Sequence, residues 1–465
     1  MVKIASSSMA KLSIHELCVL IIITSFASIV ISTTTESVKP TKKSALFVFG
    51  DSLFDPGNNQ YINGSKPGAS SYYPYGQTFF NHPTGRLSDG RIVPDFIALF
   101  AKLPMLTPYL QPGGEHDFTA GTNFASAGAC ALDAPHPQMA AIDLNEQLSY
   151  FKKVEEWLKQ KLGNEEAKKL LKKAVYLFSI GGNDYFTLSS SYPNITLSYQ
   201  KEYVGMVIGN LTNVLQEIYE MGGRKIAFQN AGPLGCTPGK RFEHLGNCDQ
   251  LAMSLATLHN TLLAQSLKNL ESHLPGFQYS IFDYYNALYD RIANPSKYGF
   301  EEGKSACCGS GQYRACNCGV NNGTIKYELC SNPSKYVWFD SAHTTEETNF
   351  QLANLIWSGH GNVTGPYNVK QLFGFSEYLS TLVQHVSSLG GADLGCGFLG
   401  GGSSVAIIDD GCADFVLAGF GPVIMEIRQV LSSFRSFMVC HVRRTGNEVA
   451  HLLARLAISN SGFHV

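Results

Sequence analysis

The sequence predicts an α/β fold in which helices cover a parallel sheet, and three observations carry that expectation. Short apolar runs rich in β-branched and aromatic residues recur along the chain. Longer stretches with apolar residues at every third or fourth position fall between them, and Gly, Pro, Asn or Asp bound the short runs. Strands are expected at residues 45–49, 175–180, 225–229 and 278–282, with a short one near 122–125. Helices are expected at about 89–102, 144–161, 165–173, 199–221, 248–274 and 345–357. Lys168, Lys169, Lys172 and Lys173 fall late in the third of these, where cations meet the negative dipole end and a solvated face accounts for them.

With 465 residues and 44% hydrophobic content, the chain can bury one large core or two smaller ones. A formal charge of −2 leaves no basic field for sequence-independent phosphate binding, so no nucleic-acid partner is expected. Residues 1–32 read as a secretory signal peptide: Lys3 and Lys11 precede the apolar run 17–31, and polar Ser32-Thr33-Thr34-Thr35 follows. That run is shorter than the roughly 20 residues a membrane-spanning helix needs, although an uncleaved signal anchor shares the pattern. No stable membrane span is expected after cleavage.

A secretory route brings an oxidising compartment and glycosylation. Asn63, Asn194, Asn210, Asn322 and Asn362 head acceptor sequons, whereas Asn294 and Asn332 are blocked by the proline that follows. Of 12 cysteines, Cys18 leaves with the signal, and Cys307, Cys308, Cys316, Cys318 and Cys330 crowd one loop-like stretch. Disulfides are the expected reading, with Cys236 and Cys248 pairing locally. A zinc site is the alternative, but paired C-x-x-C knuckles and a completing histidine are absent from the spacing.

The chemistry gathers where strands end. Ser52 follows Gly50-Asp51 after the first strand, at the carboxyl edge of the sheet, where open α/β folds bind ligands. By itself Gly-Asp-Ser serves equally as turn chemistry. Asp340 and His343 stand three apart, so one turn can aim a carboxylate and an imidazole into one cleft, or Asp340 can cap the helix that follows. An acyl-transfer serine needs a neutral imidazole to take its proton and a carboxylate to orient that imidazole. Oxyanion donors are offered by Gly128, in the run 123–129, and by Asn183, in Gly181-Gly182-Asn183-Asp184; turns explain the glycines as well.

Six runs together, in this order and spacing, resemble the GDSL esterase/lipase branch of the SGNH hydrolases, in particular its large plant group. They are 47–59 with Gly50-Asp51-Ser52-Leu53, 84–90 with Thr84-Gly85-Arg86, 123–128, 181–184, 232–236 with Gly232-Pro233-Leu234, and 340–343. The resemblance covers residues 43–374 and implies a flavodoxin-like α/β/α sandwich with a central parallel sheet. It implies Ser52 as nucleophile, His343 as base and then acid, and Asp340 as its orienting carboxylate. The oxyanion hole would use the Ser52 and Gly128 backbone N–H groups and the Asn183 amide, and no cofactor or metal is implied. One departure is Cys130, where the family often carries glycine.

Three function classes accommodate this set: a secreted hydrolase of lipid or other acyl esters, an acyltransferase working through the same acyl-enzyme, and a non-catalytic binding protein. Because every role is filled, the hydrolase is the expected function, with a small-molecule or lipid ester as partner. Residues 375–404, which hold Gly400-Gly401-Gly402, read as a junction. Residues 405–465 are expected as a partial α+β appendage: the run 440–457 resembles the end of a retroelement-type ribonuclease H-like domain. Only about half of that pattern is present, and His451 stands where an aspartate is often found, so the segment is read as a non-catalytic remnant, joined by gene fusion or by a misplaced exon.

Overall fold

The computed structural model describes residues 44–62, 68–113, 116–132, 140–319 and 326–375, together with 406–408 and 439–441. The expected signal peptide, Asn63, Asn322 and nearly all of the junction and C-terminal segment lie outside the described residues. The chain divides into two compact units, 1–375 and 376–465. In the second, Ala406–Ile408 and Val439–His441 form a parallel two-stranded pair.

In the first unit, five parallel strands form the sheet: β1 Leu46–Gly50, β2 Gly121–Asn123, β3 Val175–Ser179, β4 Lys225–Gln229 and β5 Gln278–Phe282. Their spatial order is 2-1-3-4-5, the flavodoxin-like arrangement. A sixth strand, Thr364–Pro366, pairs antiparallel with β5 at the edge. The sequence reading had no strand there; at an edge, Pro366 needs no ladder donor.

Alternation along β1 builds both layers, because successive side chains point to opposite faces. Phe47 and Phe49 enter one core with Phe151, Leu158, Leu211 and Leu263; Leu46 and Val48 enter the other with Phe96, Ile97, Leu288 and Leu352. The first core is covered by α2 Leu144–Leu162, α3 Asn164–Lys173, α5 Leu197–Glu220 and α7 Gln250–His273. The second lies under α1 Val93–Phe100, α8 Tyr284–Ala293 and α9 Glu346–Ser358. A row of stacked rings, Phe49 on Phe178 at 4.7 Å and Phe178 on Phe228 at 5.7 Å, crosses three strands. Each such ring, fully buried, contributes about 2–3 kcal/mol.

Helix starts follow side-chain caps. Asp143, Thr196, Asp249 and Thr345 each accept a backbone N–H from the first turn of α2, α5, α7 and α9. The first expected helix is shorter than its pattern, starting at Val93 instead of residue 89. Pro94 fits the first turn, and Asp89 is engaged elsewhere, accepting the Glu346 N–H of α9 at 2.8 Å. Two short helices carried no expectation of helix: α4 Gly182–Ser191 and α6 Pro238–Glu243.

Three disulfides close the loops: Cys236–Cys248, Cys307–Cys330 and Cys308–Cys318. Cys316 departs from expectation and carries a free thiol, as does buried Cys130. Five cysteines occupy that stretch and two bridges use four; the backbone of Cys316 is held instead by paired hydrogen bonds with Ser310. Among the described sequons, Asn194 and Asn362 stand exposed, whereas Asn210 lies within α5 with its amide donating to Asn145 Oδ1 and Ala131 O. No described helix is long and apolar enough to cross a membrane.

Alkylation of the native protein followed by non-reducing peptide mapping is expected to label Cys316 and to recover the three bridges above. Recovery of Cys316 in a bridge would overturn this pairing.

Candidate active site

Each expected site residue sits on a connection leaving the carboxyl end of the sheet or on the loop before α9. Gly50 ends β1 flush against its neighbour: a Cβ there would meet Ser179 O at 2.5 Å, so only glycine fits. Buried Gln147 then fixes it from α2, accepting the Gly50 N–H at 2.9 Å and donating to Gly50 O at 2.8 Å. Two residues further, Ser52 emerges with its hydroxyl 2.8 Å from His343 Nε2.

His343 is turned by Asp340, whose Oδ1 and Oδ2 lie 2.8 and 2.9 Å from Nδ1. An ionised carboxylate only accepts, so Nδ1 carries the proton and Nε2 presents its lone pair to the serine hydroxyl. Asp340 Oδ1 also accepts the Ala342 and His343 N–H groups, both at 2.9 Å, and Tyr75 donates to Oδ2 at 2.8 Å. The helix-cap alternative falls away, since Thr345 caps α9.

Electrostatics agree with this tautomer. Burial opposes the Asp340 charge, but the facing His343 ring, the backbone donors and Tyr75 outweigh it and hold the carboxyl below its usual value. Burial likewise opposes charge on His343, and Asp340 and then Asp51 outweigh it, raising the imidazole above 6.5. Asp51, beside the serine, is pushed up by burial to about 7, even with its Oδ1 accepting the Leu53 N–H.

Gly128 and Asn183 line the same cavity of about 210 Å³ as Ser52 and His343. Gly128 has φ of 85°, the left-handed region that favours glycine. Among the described residues, neither the Ser52 nor the Gly128 N–H meets an acceptor within the protein. Asn183 donates one amide hydrogen to Ala129 O at 2.9 Å, which fixes the orientation of the second. The arrangement therefore offers an activated hydroxyl beside two unspent backbone donors and an oriented amide. Leu53, Leu87, Phe186, Leu234 and Leu288 give the walls an apolar character, and among the described residues no Lys or Arg lines them. Among the described residues, no cluster of His, Cys, Asp and Glu could hold a metal ion.

Several residues that hold this site were read in the sequence only as members of a motif, without a role of their own. Asp55 accepts the Gly57, Asn58 and Ala127 N–H groups, tying the loop after Ser52 to the Gly128 loop. Asn58 donates to the Asn123 and Ala125 carbonyls, and Asn59 to Ala127 O. Asp184 accepts the Ala131 and Leu132 N–H groups, joining α4 to that loop. The run 84–90 clamps the histidine side: Arg86 forms a buried bidentate pair with Asp95, Ser88 donates to Thr344 O, and Asp89 receives the start of α9. Asp and Asn in a loop of Gly and Pro are the available signal for such loop-to-loop ties.

Comparison with known proteins places the chain in a family. Residues 419–457 match the model of a reverse transcriptase-like domain, in keeping with the resemblance read in that segment. The chain is 49% identical over 343 residues to GDSL esterase/lipase 1 of Arabidopsis thaliana, covering 72% of this chain and 91% of the relative. It is 47% identical over 349 residues to a GDSL lipase of Tanacetum cinerariifolium, covering 75% and 92%. Residues 46–356 match the model of the GDSL-like Lipase/Acylhydrolase family, so the chain belongs to that family of ester hydrolases.

Proposed function

We propose that the protein hydrolyses carboxylic esters through an acyl-enzyme on Ser52, outside the cell. The observation that carries this reading is the continuous contact from Ser52 Oγ to His343 Nε2 and from Nδ1 to Asp340, in a cavity with Gly128 and Asn183. Ser52 Oγ bonds to the ester carbonyl carbon as its proton moves to His343 Nε2. The carbonyl oxygen, now negative, takes the Ser52 and Gly128 N–H groups and the free Asn183 amide hydrogen. His343 returns the proton to the alcohol oxygen as the C–O bond breaks. Water repeats both steps on the acyl-enzyme, releasing the acid and restoring the serine.

Apolar walls in which no described residue is a cation favour uncharged acyl groups over acyl groups that carry a carboxylate, because Asp51 already places an acid in the lining. Secretion is supported by the N-terminal apolar run, three disulfides and exposed Asn194 and Asn362, which we assign as the occupied sequons among the described ones. Asn210, helical and with its amide engaged, is assigned as unoccupied. The domain reading is a hydrolase unit over 43–374, followed by a junction and a C-terminal segment without chemistry of its own.

A fluorophosphonate probe is expected to label the intact protein at Ser52, and Ser52→Ala to remove labelling and lower kcat about a millionfold. Labelling that survives Ser52→Ala would sink this mechanism. Asn183→Ala is expected to cost about 100- to 1,000-fold in kcat, some 3–4 kcal/mol of oxyanion stabilisation. The base works only when neutral and its pKa is raised, so kcat/KM should fall with falling pH along an acid limb lying above 6.5, the ordinary histidine value. A limb below it would contradict the Asp340–His343 pairing.

A further inference from the structure

Tyr75 ends a run of aromatic residues that divides sharply by exposure. Tyr72 and Tyr73 are 51% and 59% exposed, whereas Tyr75 is 2% exposed. Its ring meets Phe339 edge-on, with centroids 5.2 Å apart, and a Cβ on Gly319 would stand 3.0 Å from it. Gly319 directly follows Cys318, which is bridged to Cys308, so the disulfide loop packs against one side of the ring. Held in this way, the hydroxyl points at Asp340 Oδ2, 2.8 Å away, from a residue 265 positions earlier in the chain.

The Asp340 carboxylate is almost fully buried and needs donors on both oxygens. Oδ1 has the Ala342 and His343 N–H groups besides the imidazole; among the described residues, Oδ2 has only the imidazole and Tyr75. Burial and the adjacent Asp340 charge keep the Tyr75 hydroxyl protonated at any working pH, so it remains a donor.

We propose that Tyr75 is a positioning residue of the hydrolytic site, acting through Asp340 on His343: its hydroxyl fixes the carboxylate plane and draws off part of its charge. Resting on the Ser52–His343–Asp340 reading above, this adds a fourth group to the relay, supplied by an otherwise exposed aromatic loop. The ionisable groups that face the Asp340–His343 pair are Tyr75 on the Asp340 side and Asp51 on the His343 side. Removing the Tyr75 hydroxyl leaves more negative charge facing the imidazolium, so His343 should hold its proton more tightly.

Tyr75→Phe is therefore expected to lower kcat about ten- to a hundredfold, the worth of one hydrogen bond to a charged group, with KM changed less than about twofold. The acid limb of kcat/KM should move to higher pH, and the downfield His343 Nδ1 proton resonance should shift. Tyr327→Phe removes a hydroxyl that holds the same aromatic loop from a distant segment, donating to Tyr73 O at 3.1 Å, and should leave the limb in place. If Tyr75→Phe does not accumulate folded, biosynthetic replacement of tyrosine by 3-fluorotyrosine, a stronger donor, should move the limb to lower pH. An unmoved limb in either protein, with or without a lower melting temperature, overturns the proposal. The parent reading fails separately, if Ser52→Ala retains turnover.

Discussion

A single contact sets the terms for the rest of the unit: the hydroxyl of Ser52 against Nε2 of His343, joining residues 291 positions apart. A hydrogen bond of ordinary strength cannot by itself order so long an intervening chain, since its net worth is only about 1 kcal/mol. The geometry must be prepared by everything around it. The stacked core fixes β1, Gln147 fixes Gly50, and Asp55 with Asn58 and Asn59 fixes the loops on the serine side. On the other side Arg86, Ser88 and Asp89 fix the approach to α9, and the Ser341 carbonyl takes the Gly239 N–H. Reacting groups already ordered in this way have no such entropy left to lose at the moment of reaction.

The division of labour follows from burial. The sheet and its two helical layers supply stability through apolar contact, while the polar residues concentrate at the carboxyl edge and satisfy one another there. Buried carboxylates recur in that polar layer, at positions 51, 55, 184 and 340. Their fates differ with their donors. Asp51, Asp55 and Asp184 are raised by burial, to about 7, 6 and 6, whereas Asp340, facing an imidazole and the Tyr75 hydroxyl, is held low. Environment, not residue type, decides which of these acids carries a permanent charge.

Much of this was legible in the sequence, for identifiable reasons. β4 and β5 lie at the expected residues because punctuation bounds each short run on both sides, Gly222-Gly223 and Asn230 for β4, Pro275-Gly276 and Asp283 for β5. Ser52, Gly128, Asn183 and His343, singled out from their motifs, line one cavity, and Asp340 touches His343. What stayed illegible was long-range pairing. Tyr75 reads as one more aromatic in a loop until the fold brings residue 340 beside it, and Asp89 reads as a helix start until α9 is seen to claim its carboxylate. Cys316 fails for a matter of parity that composition shows but cannot assign. α4 was hidden by its own beginning, because Gly181-Gly182-Asn183 has turn chemistry and also opens a helix.

The apolar walls of the cavity have a different origin from its reactive floor. Leu53, Leu87, Phe186, Leu234 and Leu288 come from five separate segments, and none of these side chains supplies a hydrogen bond to the groups that hold Ser52, Asp340 and His343. Exchanging a half-buried wall residue such as Leu87 or Phe186 for a larger or smaller one reshapes the cavity with little effect on the groups beneath, whereas Leu288 also belongs to the second core. A lineage carrying this scaffold can thus drift from one ester to another by single steps, each tested on an enzyme that still turns over.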